Sequence, residues 1–138
     1  MDASLRVAGV FEELAGKYGI RLILQFGSTV TGAVHPRSDV DLAVLLQDGH
    51  PSLHKLAEIH HGLQECFPER EVDLAVINRA DPLFLKKIME RCKLVYGSTR
   101  DLQELRIYAF KRYQDHRRFL EMERRYVERT LPRFSATS

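Results

Sequence analysis

Three carboxylates and a Gly-Ser pair stand at a spacing that could handle a phosphate tail. From Phe26 to Leu42 the chain reads Phe-Gly-Ser-Thr-Val-Thr-Gly-Ala-Val-His-Pro-Arg-Ser-Asp-Val-Asp-Leu, so Gly27-Ser28 is followed by ten residues and then by Asp39-Val40-Asp41. In a strand, residues i and i+2 share a face, with α-carbons about 6.5–7 Å apart. Asp39 and Asp41 therefore project together while Val40 and Leu42 turn to the core. Like charges that close raise each other's pKa unless a cation lies between them. A hard divalent ion such as Mg²⁺ prefers oxygen ligands of this kind. Gly27 puts no side chain in the path of a ligand. Ser28 can open a short helical turn, stopped by Gly32, whose amides and positive end would suit a phosphate. The third carboxylate, Asp73, interrupts an apolar run from Val72 to Ile77. A charge buried there alone would cost several kcal/mol, and an adjacent strand would bring it beside Asp39 and Asp41. Three carboxylates from two strands can hold two metal ions about 3.5–4 Å apart, an arrangement that stabilises attacking and leaving oxygens together.

Such a cluster needs a frame. Apolar residues at Leu5, Ala8, Phe11, Leu14 and Ala15 keep helical spacing from Asp2 to Tyr18, and Gly19 is a stop signal. Ile20–Phe26 predicts a strand ended by Gly27, and Val40–Leu46 a second, buried strand closed by Asp48-Gly49. Pro51-Ser52 opens a helix carrying Leu53, Leu56, Ile59 and Leu63, and 71–77 predicts a third strand. Asp81-Pro82 is a helix start, with Asp as cap and Pro at the first helical position. Residues 93–96 predict a short fourth strand ended by Gly97, and 101–131 one long helix or two, followed by a frayed tail from Phe134. This order predicts an α/β or α+β fold with a small sheet.

The chain's 138 residues, 44% hydrophobic and 29% charged, suit one globular domain rather than a disordered segment. No apolar run reaches the length of a membrane span, and the first residues lack an apolar signal core, so a cytoplasmic location is expected. Cys66 and Cys92, 26 positions apart, match no redox or zinc spacing and are expected to be reduced, mostly buried thiols. The net charge of +2 is too small to declare a nucleic-acid binder. Residues 1–100 carry 12 basic and 13 acidic side chains and 101–138 carry 9 and 6, so the basic bias lies in the C-terminal segment.

Gly27-Ser28, Asp39-Val40-Asp41 preceded by Ser38, and the later Asp73 resemble the signature of minimal nucleotidyltransferases of the DNA polymerase beta superfamily. The likeness runs in element order over roughly residues 5–97. It implies a polymerase-beta-like fold, a small mixed sheet flanked by helices. Residues 1–100 would form the nucleotidyltransferase domain, and 101–138 a helical extension packed on it or on a partner. It also implies a reaction: AMP passes from ATP to a hydroxyl and pyrophosphate leaves, with two Mg²⁺ ions (Mn²⁺ a possible substitute). Asp39 and Asp41 would ligate both ions. Asp73 would hold the ion that activates the acceptor and could serve as its base. Gly27, Ser28 and Ser38 would bind the nucleotide. At this length the resemblance further implies that another protein presents the acceptor, as in small antitoxins whose partner is a helical HEPN ribonuclease toxin. AMP on a tyrosine there would add bulk and negative charge where RNA must bind, and a homo- or hetero-oligomer follows.

Other readings stay open. The chain could neutralise a partner by occlusion with vestigial carboxylates, or transfer a nucleotide to a small molecule such as an antibiotic. Asp73 could instead pair with Arg70 or Arg79. His54, Glu58 and His61 share a helix face but match no established zinc pattern, so a surface role is expected. His35 and Arg37 could touch a triphosphate, though solvated loop positions are expected. Arg117-Arg118 and Arg124-Arg125 can pair with Glu121, Glu123 and Glu128 along a helix. Tyr108, Tyr113, Phe119 and Tyr126 are expected to pack in a core, with the excess available to a partner.

Overall fold

The computed structural model of the chain describes residues 3–27 and 39–135, with side chains at 7–27 and 39–131. Four strands and four helices follow one another as α1 (Ala3–Tyr18), β1 (Ile20–Phe26), β2 (Val40–Leu46), α2 (Leu53–Glu65), β3 (Val72–Val76), α3 (Pro82–Glu90), β4 (Cys92–Tyr96) and α4 (Thr99–Ser135). The expected mixed α/β architecture is present. The third strand is shorter than its sequence pattern, because Ile77 leaves it for a 3-10 turn, Ile77–Arg79. The C-terminal pattern resolves as one helix of 37 residues that reaches Ser135. Among the described residues no helix is long and apolar enough to cross a membrane.

The sheet order is β3-β2-β1-β4. β1 runs antiparallel to both β2 and β4, and β2 runs parallel to β3. The alternation of β2 decides what lies on each face. Val40, Leu42, Val44 and Leu46 join Phe11 and Ala15 of α1 and Ile59 and Leu63 of α2 in one buried cluster. Ala43, with Leu22 and Leu24 of β1, packs beneath Leu85 and Ile88 of α3 and Leu102, Leu105 and Ala109 of α4. Each such buried aliphatic side chain contributes about 1.5–3 kcal/mol relative to exposure. The sheet is thus a central layer, with α1 and α2 on one side and α3 and α4 on the other.

The helix starts follow their sequence signals. The Ser52 side chain accepts from the Lys55 amide at 3.1 Å, and the Asp81 side chain from the Phe84 amide at 2.8 Å. Caps of this kind stabilise by about 1 kcal/mol each. The edge strand β3 is tied from α2. The Gln64 amide group donates to the carbonyls of Phe67 and Arg70, at 2.9 and 2.5 Å, and accepts from the Val72 N–H at 2.9 Å. His60 Nε2 lies 2.8 Å from the Val72 carbonyl oxygen. Arg79 donates to the Pro51 carbonyl at 2.7 Å.

Candidate active site

The alternation that sends Val40 and Leu42 to the α1/α2 face sends Asp41 to the α3/α4 face. In the parallel β2/β3 pair, Asp41 stands directly opposite Asp73, flanked by Val40 opposite Val72 and Leu42 opposite Leu74. Neighbouring strands lie about 4.8 Å apart, so these carboxylates leave adjacent backbones at the same level. Asp39 is exposed just before β2, two residues upstream of Asp41. The Asp41 carboxyl is pushed above its usual value by partial burial, then by the charges of Asp73 and Asp39, with Lys87 opposing. Asp73 is itself exposed, so it escapes the burial cost its apolar strand suggested. Neither Arg70 nor Arg79 forms an ion pair with it among the described residues.

Asp41 and Asp73 open into a cleft of about 820 Å³ between the sheet and α3, bounded by Phe26, Gly27, Phe84, Lys87, Glu90 and Arg91. Gly27 closes it beneath the acids. Its φ is +80°, the left-handed region that favours glycine, and a Cβ there would collide with a carboxylate oxygen of Asp41. Phe84 meets Phe26 edge-on, with ring centroids 6.0 Å apart at 74°. Lys87 and Arg91 bring two cations to the wall opposite the acids. Phe84 and Lys87 recur at i and i+3 on one face of α3, and Arg91 follows as the residue that caps its end. That spacing was legible in the sequence, but which way the face points depends on how α3 packs across the sheet.

The cleft's charge selects its ligands. Asp41, Asp73 and Glu90 outnumber Lys87 and Arg91 along its lining, so a bare polyphosphate would meet net repulsion. A divalent cation removes that obstacle and relieves the repulsion that raises the Asp41 pKa. By donor type and register Asp41 and Asp73 suit such an ion, and Asp39 stands two residues upstream of Asp41. As the side chains stand, no group of three His, Cys, Asp or Glu among the described residues converges closely enough to hold one. Ser28 and Ser38, with His35 and Arg37, lie outside the described residues.

The other candidates resolve as structural. His54 pairs with Glu58 at 2.9 Å and His61 with Glu65 at 3.2 Å. Glu58 also accepts from the Tyr18 hydroxyl at 2.8 Å, and this hydrogen bond is the main cause holding its carboxyl below the usual range. Cys66 and Cys92 are free and half-buried rather than fully buried. Burial pushes the Cys66 thiol above its ordinary pKa, away from reactivity. The aromatic residues of α4 depart from expectation: Tyr113 is half-buried under Lys86, whereas Tyr108, Phe119 and Tyr126 are exposed.

A family model described as polymerase beta, nucleotidyltransferase, matches residues 10–101. No curated protein sequence matches the chain. Among solved structures, a chain of a toxin–antitoxin complex determined with AMP-PNP superposes with a TM-score of 0.69 at 23% identity, over 90% of this chain and 97% of that one. A chain from a complex of tri-AMPylated Shewanella oneidensis HEPN toxin with MNT antitoxin gives 0.64 at 20% identity, over 93% and 98%. A further toxin–antitoxin complex, MntA–HepT, gives 0.63 at 20% identity, over 92% and 97%.

Proposed function

Because the chain belongs to the polymerase beta nucleotidyltransferase family, we propose that its cleft transfers AMP from ATP to a tyrosine hydroxyl of a HEPN-family toxin, and that the chain is that toxin's antitoxin. The observation that carries this reading is the in-register pair Asp41 and Asp73 at the floor of a cleft whose opposite wall bears Lys87 and Arg91. The solved relatives support it: one complex contains AMP-PNP and another contains a tri-AMPylated toxin.

In this reading the acceptor oxygen attacks the α-phosphorus, the bond from that phosphorus to the bridging oxygen breaks, and pyrophosphate departs. Asp39 and Asp41 would hold two Mg²⁺ ions, and Asp73 the one on the acceptor side. When bound, the ions supply charge neutralisation for the triphosphate and acidity for the acceptor hydroxyl. Asp73 would receive the hydroxyl proton. Ser28 and Ser38 would contribute hydroxyl and amide donors to the phosphates. Lys87 would offset the charge of the nucleotide tail, and the exposed ring of Phe84 offers a face to the base.

The test is direct. Incubate the chain with labelled ATP, Mg²⁺ and the HEPN-family protein encoded beside it. Label should appear on the partner, with mass increments of AMP on a tyrosine, and chelation should abolish it. If no label appears and Asp39→Asn still protects cells from the toxin, occlusion replaces transfer. Lys87→Ala is expected to raise the KM for ATP about tenfold with little change in kcat, because a tail contact made equally in ground and transition states shows in KM. Steady-state kinetics against ATP concentration checks this, and Lys87→Arg should recover most of the loss.

A further inference from the structure

The first half of α4 is ordinary core. Leu102, Leu105 and Ala109 are buried against α3 and the sheet, and Tyr113 continues their stripe. The helix then outruns the body: every residue from 117 to 129 is exposed, about 20 Å of helix at 1.5 Å per residue. The stripe does not end with the body. At helical spacing it passes through His116, Leu120, Glu123 and Val127, and Phe119 and Tyr126 lie along its flank. Phe119 is 61% and Tyr126 69% exposed. A solvated arm has no use for such a face.

The arm's root adjoins the cleft. Between α3 and α4 runs a groove of about 340 Å³ lined by Met89, Ala109, Phe110 and Tyr113. Glu90 borders both this groove and the cleft. A body lying along the arm and groove is therefore delivered to the rim of the cleft that holds Asp41 and Asp73.

A second copy suits the stripe poorly. Parallel pairing would set Glu123 against its own equivalent between two apolar layers. Antiparallel pairing would bring Arg117 of one arm onto Arg124 of the other. Both guanidiniums lie beside Leu120 on the same flank, and among the described residues Arg124 has Glu128 at 3.6 Å while Arg117 has no carboxylate within ion-pair distance. The complementary surface is apolar, with a carboxylate facing Arg117.

We propose that the α4 arm and the α3–α4 groove are the docking surface for the acceptor protein, through an apolar helical face bordered by carboxylates. The proposal rests on the transfer reading for the identity of that acceptor, and binding separates the two. Measure the affinity of the full chain for the adjacently encoded HEPN protein without ATP and in an Asp41→Asn background, where transfer is suppressed. Adding Leu120→Gln, Tyr126→Gln and Val127→Gln removes apolar contacts from an arm that supports no core, so the melting temperature should hold. Affinity should fall at least about thirtyfold, and Arg117→Glu should weaken it severalfold. In the chain that retains Asp41, the triple variant should still label the toxin at saturating concentration, with a raised KM for the protein and a kept kcat. Undiminished affinity of the triple variant overturns the proposal. So does an arm that pairs with itself, seen as a dimer in sedimentation that the triple variant dissolves while toxin affinity stays. Absence of label from the wild type, with arm-dependent binding intact, would instead reject transfer alone.

Discussion

Asp41→Asn is expected to cut nucleotide transfer by ~10³-fold or more while the unliganded protein melts no lower than wild type. The two halves of this result come from one cause. Asp41 is the most enclosed of the three acids, and its carboxyl is pushed above its usual value by partial burial and by Asp73 and Asp39. A carboxylate whose folded-state pKa is raised favours the folded state only while protonated. That contribution is present below the unfolded-state pKa and is lost as pH rises through the folded one. At neutral pH the charge therefore opposes folding, and the isosteric amide removes it. The melting temperature of Asp41→Asn should match or exceed wild type by up to ~3 °C, with the gap widening as pH rises past the ordinary aspartate range. Added Mg²⁺ should reverse the order by stabilising wild type alone, because only wild type offers the full acidic set. Thermal melts at several pH values, with and without Mg²⁺, check the stability half, and single-turnover labelling checks the catalytic half. An Asp41→Asn chain that melts well below wild type at neutral pH would mean that this carboxylate holds the fold together.

Gly27→Ala is expected to lower kcat by ~10²-fold, because a misplaced catalytic group forfeits much of its effect, and to cost about 1–2 kcal/mol of stability. At φ +80° any L side chain is strained, and the new methyl would run into the Asp41 carboxylate. The contact falls on the outer end of the Asp41 side chain, so Asp41 yields by rotating out of its present position. Gly16→Ala, inside α1, is the control: a Cβ there meets nothing within 4 Å, so activity should be unchanged and the melting temperature should hold or rise, since alanine suits a helix interior better than glycine by about 0.5–1 kcal/mol. Paired melts and labelling rates decide the matter. A Gly27→Ala chain that loses stability but keeps its rate would show that Asp41 need not stay where Gly27 leaves it.

The arrangement of the acids was legible because a strand has a fixed period. Asp41, between Val40 and Leu42, could face only away from the core that those two enter. Asp73, breaking an apolar strand, had to sit at an accessible edge or beside a partner. It sits exposed on the edge strand, in register with Asp41. Ser52 and Asp81 announced their helices through capping chemistry. The opposite wall was less legible. Phe84 and Lys87 share a face of α3 and Arg91 caps its end, but whether that face meets a cleft or solvent depends on the angle at which α3 crosses the sheet, which no local pattern encodes. The aromatic residues of α4 misled for a related reason. Helical periodicity reports a stripe but not where the neighbouring body ends, and here the stripe continues after the body has stopped.

Gln64 never approaches the cleft, yet it helps decide where Asp73 stands. It sits in α2, on the far side of the sheet, and its carboxamide fixes the chain from Phe67 to Val72, the residue just before the acid. With side chains alternating, a slip of one residue in β3 would swing Asp73 to the wrong side, and an outermost strand has a single neighbour to resist that slip. The remote helix therefore works as an alignment gauge. Damage to it would look kinetic, a fault in turnover traced to a side chain no substrate ever meets.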